Sequence, residues 1–176
     1  MEPDRPGHPA TATGAGRAVP RCGTPRVAGA RYCEEDGYDF APRAAVRWEA
    51  TVSADREYFD ALAAGGFEFP VSYGPKTFAL DTDVIVIGRG TSPAGGVSVL
   101  DLHGTPEDDG ISRRHAVLRR SADGAYSVAD CGSTNGTTIN GGSELLAPHV
   151  EVALRDGDRI HLGAWTTITI RSVPAV

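Results

Sequence analysis

From Val46 onward the apolar residues come in short bursts of four to seven, rich in β-branched types, and no stretch sustains a 3.6-residue period. A chain spaced in this way cannot bury its apolar side chains on helices and has to pair strands instead. The bursts predict strands at Arg47 to Val52, Thr77 to Leu80, Val84 to Ile87, Val97 to Leu102 and His115 to Arg119. Five more are predicted at Tyr126 to Asp130, Thr137 to Ile139, Val150 to Ala153, Arg159 to Leu162 and Thr166 to Arg171. The run Val84-Ile85-Val86-Ile87 is apolar on both faces and predicts a central strand. By contrast, Thr166, Ile168 and Ile170 alternate with Thr167, Thr169 and Arg171, which predicts a half-exposed one. The pairs Asp123-Gly124, Asn140-Gly141 and Asp156-Gly157 supply the positive φ angles of tight hairpins. Only Asp55 to Ala64 has helical character, a couple of turns at most. The expected architecture is all-β, an antiparallel sandwich or barrel and not an alternating α/β enzyme fold.

The first 45 residues differ from the rest. They hold six of the chain's twelve prolines, with six basic and six acidic residues and almost no periodic apolar pattern, so residues 1–45 are expected to form a flexible tail. Residues 46–176 are then the folded domain, and they carry the whole net charge of -6. An acidic domain is a poor general nucleic-acid binder, because a phosphate backbone demands a basic surface. No run approaches the roughly 18 apolar residues of a membrane helix, and Met1 to Ala10 lacks the pattern of a signal peptide, so a soluble cytoplasmic protein is expected. The three cysteines, Cys22, Cys33 and Cys131, imply no disulfide framework.

Four short pieces carry the chemistry: Gly88-Arg89, Ser112-Arg113-Arg114-His115, Gly132-Ser133-Thr134-Asn135-Gly136-Thr137 and Asp156-Gly157-Asp158-Arg159-Ile160. Each falls at a strand end or in a loop, and the loops of a sandwich gather at its two ends. The first three offer guanidinium groups, hydroxyls and glycine-freed backbone N–H groups, the donors that a phosphate dianion needs. In that order they resemble the forkhead-associated (FHA) domain, a phosphothreonine-peptide binding module built as a sandwich of about eleven strands. The resemblance covers roughly residues 76–171, with 46–75 as flanking structure of the same domain.

The resemblance implies a non-catalytic reader of phosphothreonine-containing proteins, substrates of a Ser/Thr protein kinase, with no cofactor. It implies that Arg89 grips the phosphate, that Ser112 and Thr134 donate hydrogen bonds to it, that Arg113 adds a second charge, and that Asn135 binds the peptide main chain. Gly88, His115 and Gly136 would be scaffold. The chain departs from the family in the 22 residues between Arg89 and Ser112, an insertion rich in Gly, Pro and acid. Its acidic stretch Glu107-Asp108-Asp109 lacks the spaced oxygen ligands of a calcium loop and is expected to be solvated.

Competing readings are weaker. Ser112 and His115 as a hydrolytic dyad conflict with an extended chain, where residues three apart face opposite sides. Leu80-Asp81-Thr82-Asp83-Val84 is similar to the nucleophile loop of haloacid-dehalogenase-like phosphatases, a fold that requires the helices missing from this pattern. A scaffold that binds partners through the same surface without phosphate is the alternative function, with the tail as tether or kinase substrate through Thr11, Thr13 or Thr24. Val19 to Gly23 and Tyr32 to Gly37 together are similar to a zinc ribbon in which Val19 and Asp36 replace two cysteines. Structural zinc takes four ligands, so a degenerate ribbon with no stable metal is expected.

Overall fold

The computed structural model describes residues 22, 29–37, 46–62, 66–90, 97–104 and 106–174. The chain divides into two units, Met1–Arg43 and Ala44–Val176. Ten strands and one helix make up the second: β1 (Val46–Ala54), α1 (Arg56–Leu62), β2 (Lys76–Leu80), β3 (Val84–Gly88), β4 (Ser98–Asp101) and β5 (Ala116–Arg120), then β6 (Tyr126–Asp130), β7 (Thr137–Ile139), β8 (Val152–Ala153), β9 (Arg159–Leu162) and β10 (Thr166–Pro174). They form two five-stranded sheets, ordered β2-β1-β10-β9-β7 and β4-β3-β5-β6-β8.

Alternation places the core between the sheets. Trp48, Ala50 and Val52 of β1 point inward with Ile160 and Leu162 of β9 and Ile168 and Ile170 of β10. Ile85 and Ile87 of β3, Ala116 and Leu118 of β5, and Tyr126 and Val128 of β6 come from the other sheet. Burial of this kind contributes about 25 cal/mol per Å² of apolar surface and is the dominant favourable term. As its two-sided apolar run predicts, β3 is internal, flanked by β4 and β5.

The described residues hold the ten strands that the apolar bursts predict, and the fold departs from the sequence reading in three places. The sandwich is not wholly antiparallel, since β3 and β4 run parallel, with Ile85 opposite Ser98 and Gly88 opposite Asp101. Of the three turn pairs only Asp123-Gly124 closes a hairpin, between β5 and β6. Asn140 and Gly141 do adopt positive φ, 56° and 71°, but the strand they follow pairs with β9. Asp156-Gly157 links β8 to β9, which lie in different sheets. Finally, the outer face of β10 is closed at its first position only, with Thr169 half-buried and Arg171 exposed as expected: Thr167 is buried, its hydroxyl bonded to Asp55 Oδ2 at 2.9 Å and to His161 Nδ1 at 2.7 Å. Asp55 is also the N-cap of α1, accepting the Tyr58 N–H at 3.1 Å. The Tyr58 ring lies 4.8 Å from the His161 ring, so the helix and its cap cover what periodicity alone would leave to solvent.

Strand register decides where the loops go. Ile87 at the end of β3 faces Ala116 at the start of β5, and Ala116 faces Asp130 at the end of β6. The segments after β3, before β5 and after β6 therefore all leave from one end of this sheet.

Candidate functional site

At that end the three donor-rich pieces meet. The Arg89 N–H donates to the Ser112 carbonyl at 3.2 Å. The Thr134 N–H donates to Ser112 Oγ at 3.2 Å, and the Ser112 and Thr134 hydroxyls are 3.5 Å apart. Approach this close needs glycine. A Cβ on Gly88 would come within 2.3 Å of the Arg113 carbonyl oxygen, and one on Gly136, where φ is 75°, within 2.7 Å of Leu145 Cδ2.

His115 ties two of the loops together from below. It is fully buried; the Ser112 N–H donates to its Nδ1 at 3.1 Å, so the proton sits on Nε2, which bonds the Gly136 carbonyl at 3.0 Å. Burial pushes the imidazole below its ordinary range, against the pull of the Gly136 carbonyl and the Asp130 and Asp108 carboxylates. This is a scaffold geometry. Because Ser112 meets the ring through its backbone N–H, with its hydroxyl turned to Thr134, the dyad reading has no geometric basis.

Two acids take structural roles that the sequence reading does not give them. Asp130, nearly fully buried, accepts from Gly132 N–H at 2.7 Å, Ser133 N–H at 2.9 Å, Ser133 Oγ at 2.6 Å and Thr137 Oγ1 at 2.7 Å. Burial opposes its charge, but these donors outweigh burial and hold the carboxyl below its usual range. The signal was an acid just ahead of small residues whose backbone donors a loop leaves unpaired. Asp108 overturns the expectation of a solvated Glu107-Asp108-Asp109 loop. Only 2% exposed, it accepts from Ala164 N–H at 2.9 Å, Trp165 N–H at 3.0 Å, Thr166 N–H at 3.1 Å and Thr166 Oγ1 at 2.8 Å. Its neighbours Glu107 and Asp109 turn instead to Arg89.

Those neighbours hold Arg89. Arg89 Nη1 donates to Glu107 Oε1 at 2.6 Å and Asp109 Oδ1 at 3.2 Å, while its Nε donates to the Ile111 carbonyl at 2.5 Å. The contact with Arg89 holds the Glu107 carboxyl below its ordinary range. Asn135 is exposed, and its Nδ2 donates to the Gly110 carbonyl at 2.9 Å. Arg113 is exposed beside the loop. The fourth sequence piece is structural: Asp158 accepts from Arg155 N–H at 2.7 Å and Asn140 Nδ2 at 3.0 Å, and Asp156 from Ser172 N–H at 2.7 Å.

The loop end thus gathers donors from three segments, with the Glu107 and Asp109 carboxylates on Arg89. A cavity of about 550 Å³ lies elsewhere, between α1 and the segment after β7, lined by Tyr58, Leu62, Asn140, Leu145 and Arg159. In the first unit, Cys22, Cys33 and Asp36 bring their ligand atoms within 4.8 Å of one another, with the two sulfurs 3.6 Å apart. They are three groups where structural zinc takes four. The Val19 position of the ribbon comparison lies outside the described residues, as do Thr11, Thr13 and Thr24.

Comparison with known proteins agrees with the geometry. The FHA domain family model matches residues 85–163. An FHA domain-containing protein of Arabidopsis thaliana is 44% identical over 68 residues, 38% of this chain and 17% of its own length. The glycogen accumulation regulator GarA of Mycolicibacterium smegmatis is 32% identical over 120 residues, covering 62% of this chain and 71% of GarA. Among solved structures, full-length yeast Pml1p has the same fold, with a TM-score of 0.51 at 21% identity, over 75% of this chain and 85% of that one.

Proposed function

This chain belongs to the FHA-domain family, and on that premise we propose that its second unit is a non-catalytic reader of phosphothreonine-containing proteins made by a Ser/Thr protein kinase. One observation carries the reading: Arg89, Ser112 and Thr134, distant in sequence, come together at one end of the sandwich through direct hydrogen bonds. In this reading the Arg89 fork grips the phosphate, the Ser112 hydroxyl and Thr134 N–H donate to its remaining oxygens, and Arg113 adds charge. Asn135 exchanges its Gly110 contact for the peptide main chain. The domain spans 46–176, and residues 1–45 act as its tail. Its partners are proteins in the cytoplasm, with neither nucleic acid nor membrane among them, a reading that the net charge of -6 supports; among the described residues no helix is long and apolar enough to cross a membrane. The cysteine segment is a degenerate zinc ribbon.

Calorimetry on one peptide in three forms tests this. Phosphothreonine should bind about tenfold more tightly than phosphoserine, because a methyl group fitted into an apolar pocket contributes about 1 to 3 kcal/mol while the phosphate contacts stay the same. Equal affinities would leave only a generic anion site. One observation favours a second reading, a scaffold that works without phosphate: in the free protein Arg89 is already neutralised by Glu107 and Asp109. Strong binding of the unmodified peptide would establish that reading and remove the first.

A further inference from the structure

We propose that Glu107 and Asp109 set the entry requirement of the Arg89 seat: in the free protein they occupy Nη1 of its guanidinium, so a ligand that engages this arm of the fork must displace two carboxylates. The inference rests on the phosphopeptide reading and adds to it the groups that the phosphate replaces.

Three observations carry it. First, Arg89 is held at two of its three guanidinium nitrogens, by the Ile111 carbonyl at Nε and by the two carboxylates at Nη1. Second, the carboxylates cannot withdraw with their loop. Asp108 between them is pinned by the backbone of Ala164, Trp165 and Thr166, and a Cβ on Gly163 would come within 2.5 Å of its Oδ2, so the loop is locked against that turn. Only the side chains of Glu107 and Asp109 can rotate away, and they stay within a side chain's length of the seat. Third, the contacts are open enough to exchange: the side chains of Arg89 and Glu107 are 25% and 27% exposed and that of Asp109 is 81% exposed. Ion pairs at this exposure are individually weak and readily traded.

Binding at Arg89 is therefore a replacement. A single carboxylate on the ligand, such as an aspartate or glutamate standing in for phosphothreonine, exchanges like for like and gains nothing. A phosphate dianion brings about twice the charge and three acceptor oxygens, enough to engage Arg89, Ser112 and Thr134 together. Glu107 and Asp109 thereby exclude ordinary acidic peptides from a seat that would otherwise attract them.

The test compares the full chain with its Glu107→Gln, Asp109→Asn double variant, using a phosphothreonine peptide and the same peptide carrying glutamate at that position. Titrations are run at about 0.05 M and about 0.5 M salt; at the higher concentration charge effects beyond about 5 Å are screened, while direct contacts are weakened less. The variant should bind the phosphopeptide about tenfold more tightly at both salts, the summed worth of two partly exposed ion pairs. It should also bind the glutamate peptide measurably where the parent does not. Equal affinities of the two proteins, or a gain present only at low salt, would overturn the inference. Failure of both proteins to bind the phosphopeptide would instead sink the phosphopeptide reading, and the inference with it. Should the double variant fold poorly, Asp109→Asn alone, at a solvent-exposed side chain, gives the same comparison with a smaller gain.

Discussion

Two arginine–carboxylate clusters sit on this sandwich and differ in what surrounds them. At the loop end, Arg89 meets Glu107 and Asp109 among partly exposed side chains. Under α1, Arg159 meets Asp55, whose side chain is only 8% exposed and is further bonded by Thr167 Oγ1 and the Tyr58 N–H. The partners are chemically alike. Burial of the carboxylate, and not of the arginine, separates them, since Arg159 is itself 44% exposed: a desolvated carboxylate that loses its donors has nothing to replace them, whereas an exposed one has water and any passing cation. The first cluster is free to exchange partners and suits recognition. The second is fixed and belongs to the fold.

The sharpest way to break this contrast is to remove an acid from the buried cluster. Asp55→Ala leaves Arg159, Thr167 and the start of α1 without their acceptor and should lower stability by about 3 kcal/mol, with phosphopeptide affinity unchanged. Chemical denaturation alongside titration measures both, and a loss of affinity in a protein that stays folded would show the clusters to be coupled. Arg89→Ala should do the reverse. It should cost about a hundredfold in affinity, on the order of 3 kcal/mol, with the melting temperature nearly unchanged, and Lys should rescue only in part because a point charge cannot reproduce the fork. Less than a threefold loss would remove Arg89 from the site.

Acid should reach both ends of the molecule. Burial depresses His115 and His161 below their ordinary value of 6.5, His161 with help from Arg159 and against Asp55. The unfolded chain therefore takes up protons first, and the stability held above pH 6.5 is lost progressively as pH falls below it, by at most about 1.4 kcal/mol per pH unit for each ring. Asp55 and Asp130, held below 3.8, add a second loss as pH falls further through their folded values. Melting temperature followed from pH 8 to about pH 3 checks both steps, and His161→Gln should flatten the first; a profile flat between pH 7 and about pH 5 would contradict it. The smallest effect is expected at the cysteine segment, where three candidate ligands fall short of a structural zinc site. Chelator should leave the melting temperature unchanged, and a molar equivalent of zinc lost together with stability would reverse that expectation.

Strand positions were legible in the sequence because alternation is a local property. Tyr126 to Asp130, Thr137 to Ile139 and Arg159 to Leu162 are strands over the very residues expected. Pairing is not local, and nothing in Val97 to Leu102 announces that β4 runs parallel to β3. The same limit explains Asn140-Gly141, whose φ angles follow from residue type but whose strand finds its partner some twenty residues on, at Arg159 to Leu162. At the site, the donors were legible as residue types in order. The acids that organise them were not, because Glu107, Asp108 and Asp109 look identical in sequence and only the fold sends one inward and two toward Arg89.

The pairing of β1 with β10, Val46 opposite Pro174, brings both ends of the sandwich side by side. The indole of Trp48 donates to the Gly124 carbonyl at 2.9 Å, so these ends lie near the β5–β6 turn, at the far end of β5 and β6 from Ala116 and Asp130. Whatever is attached there, a fluorophore, a surface linker or a neighbouring domain, leaves from the pole opposite Arg89. The module can be mounted by either end with its reading face pointing outward.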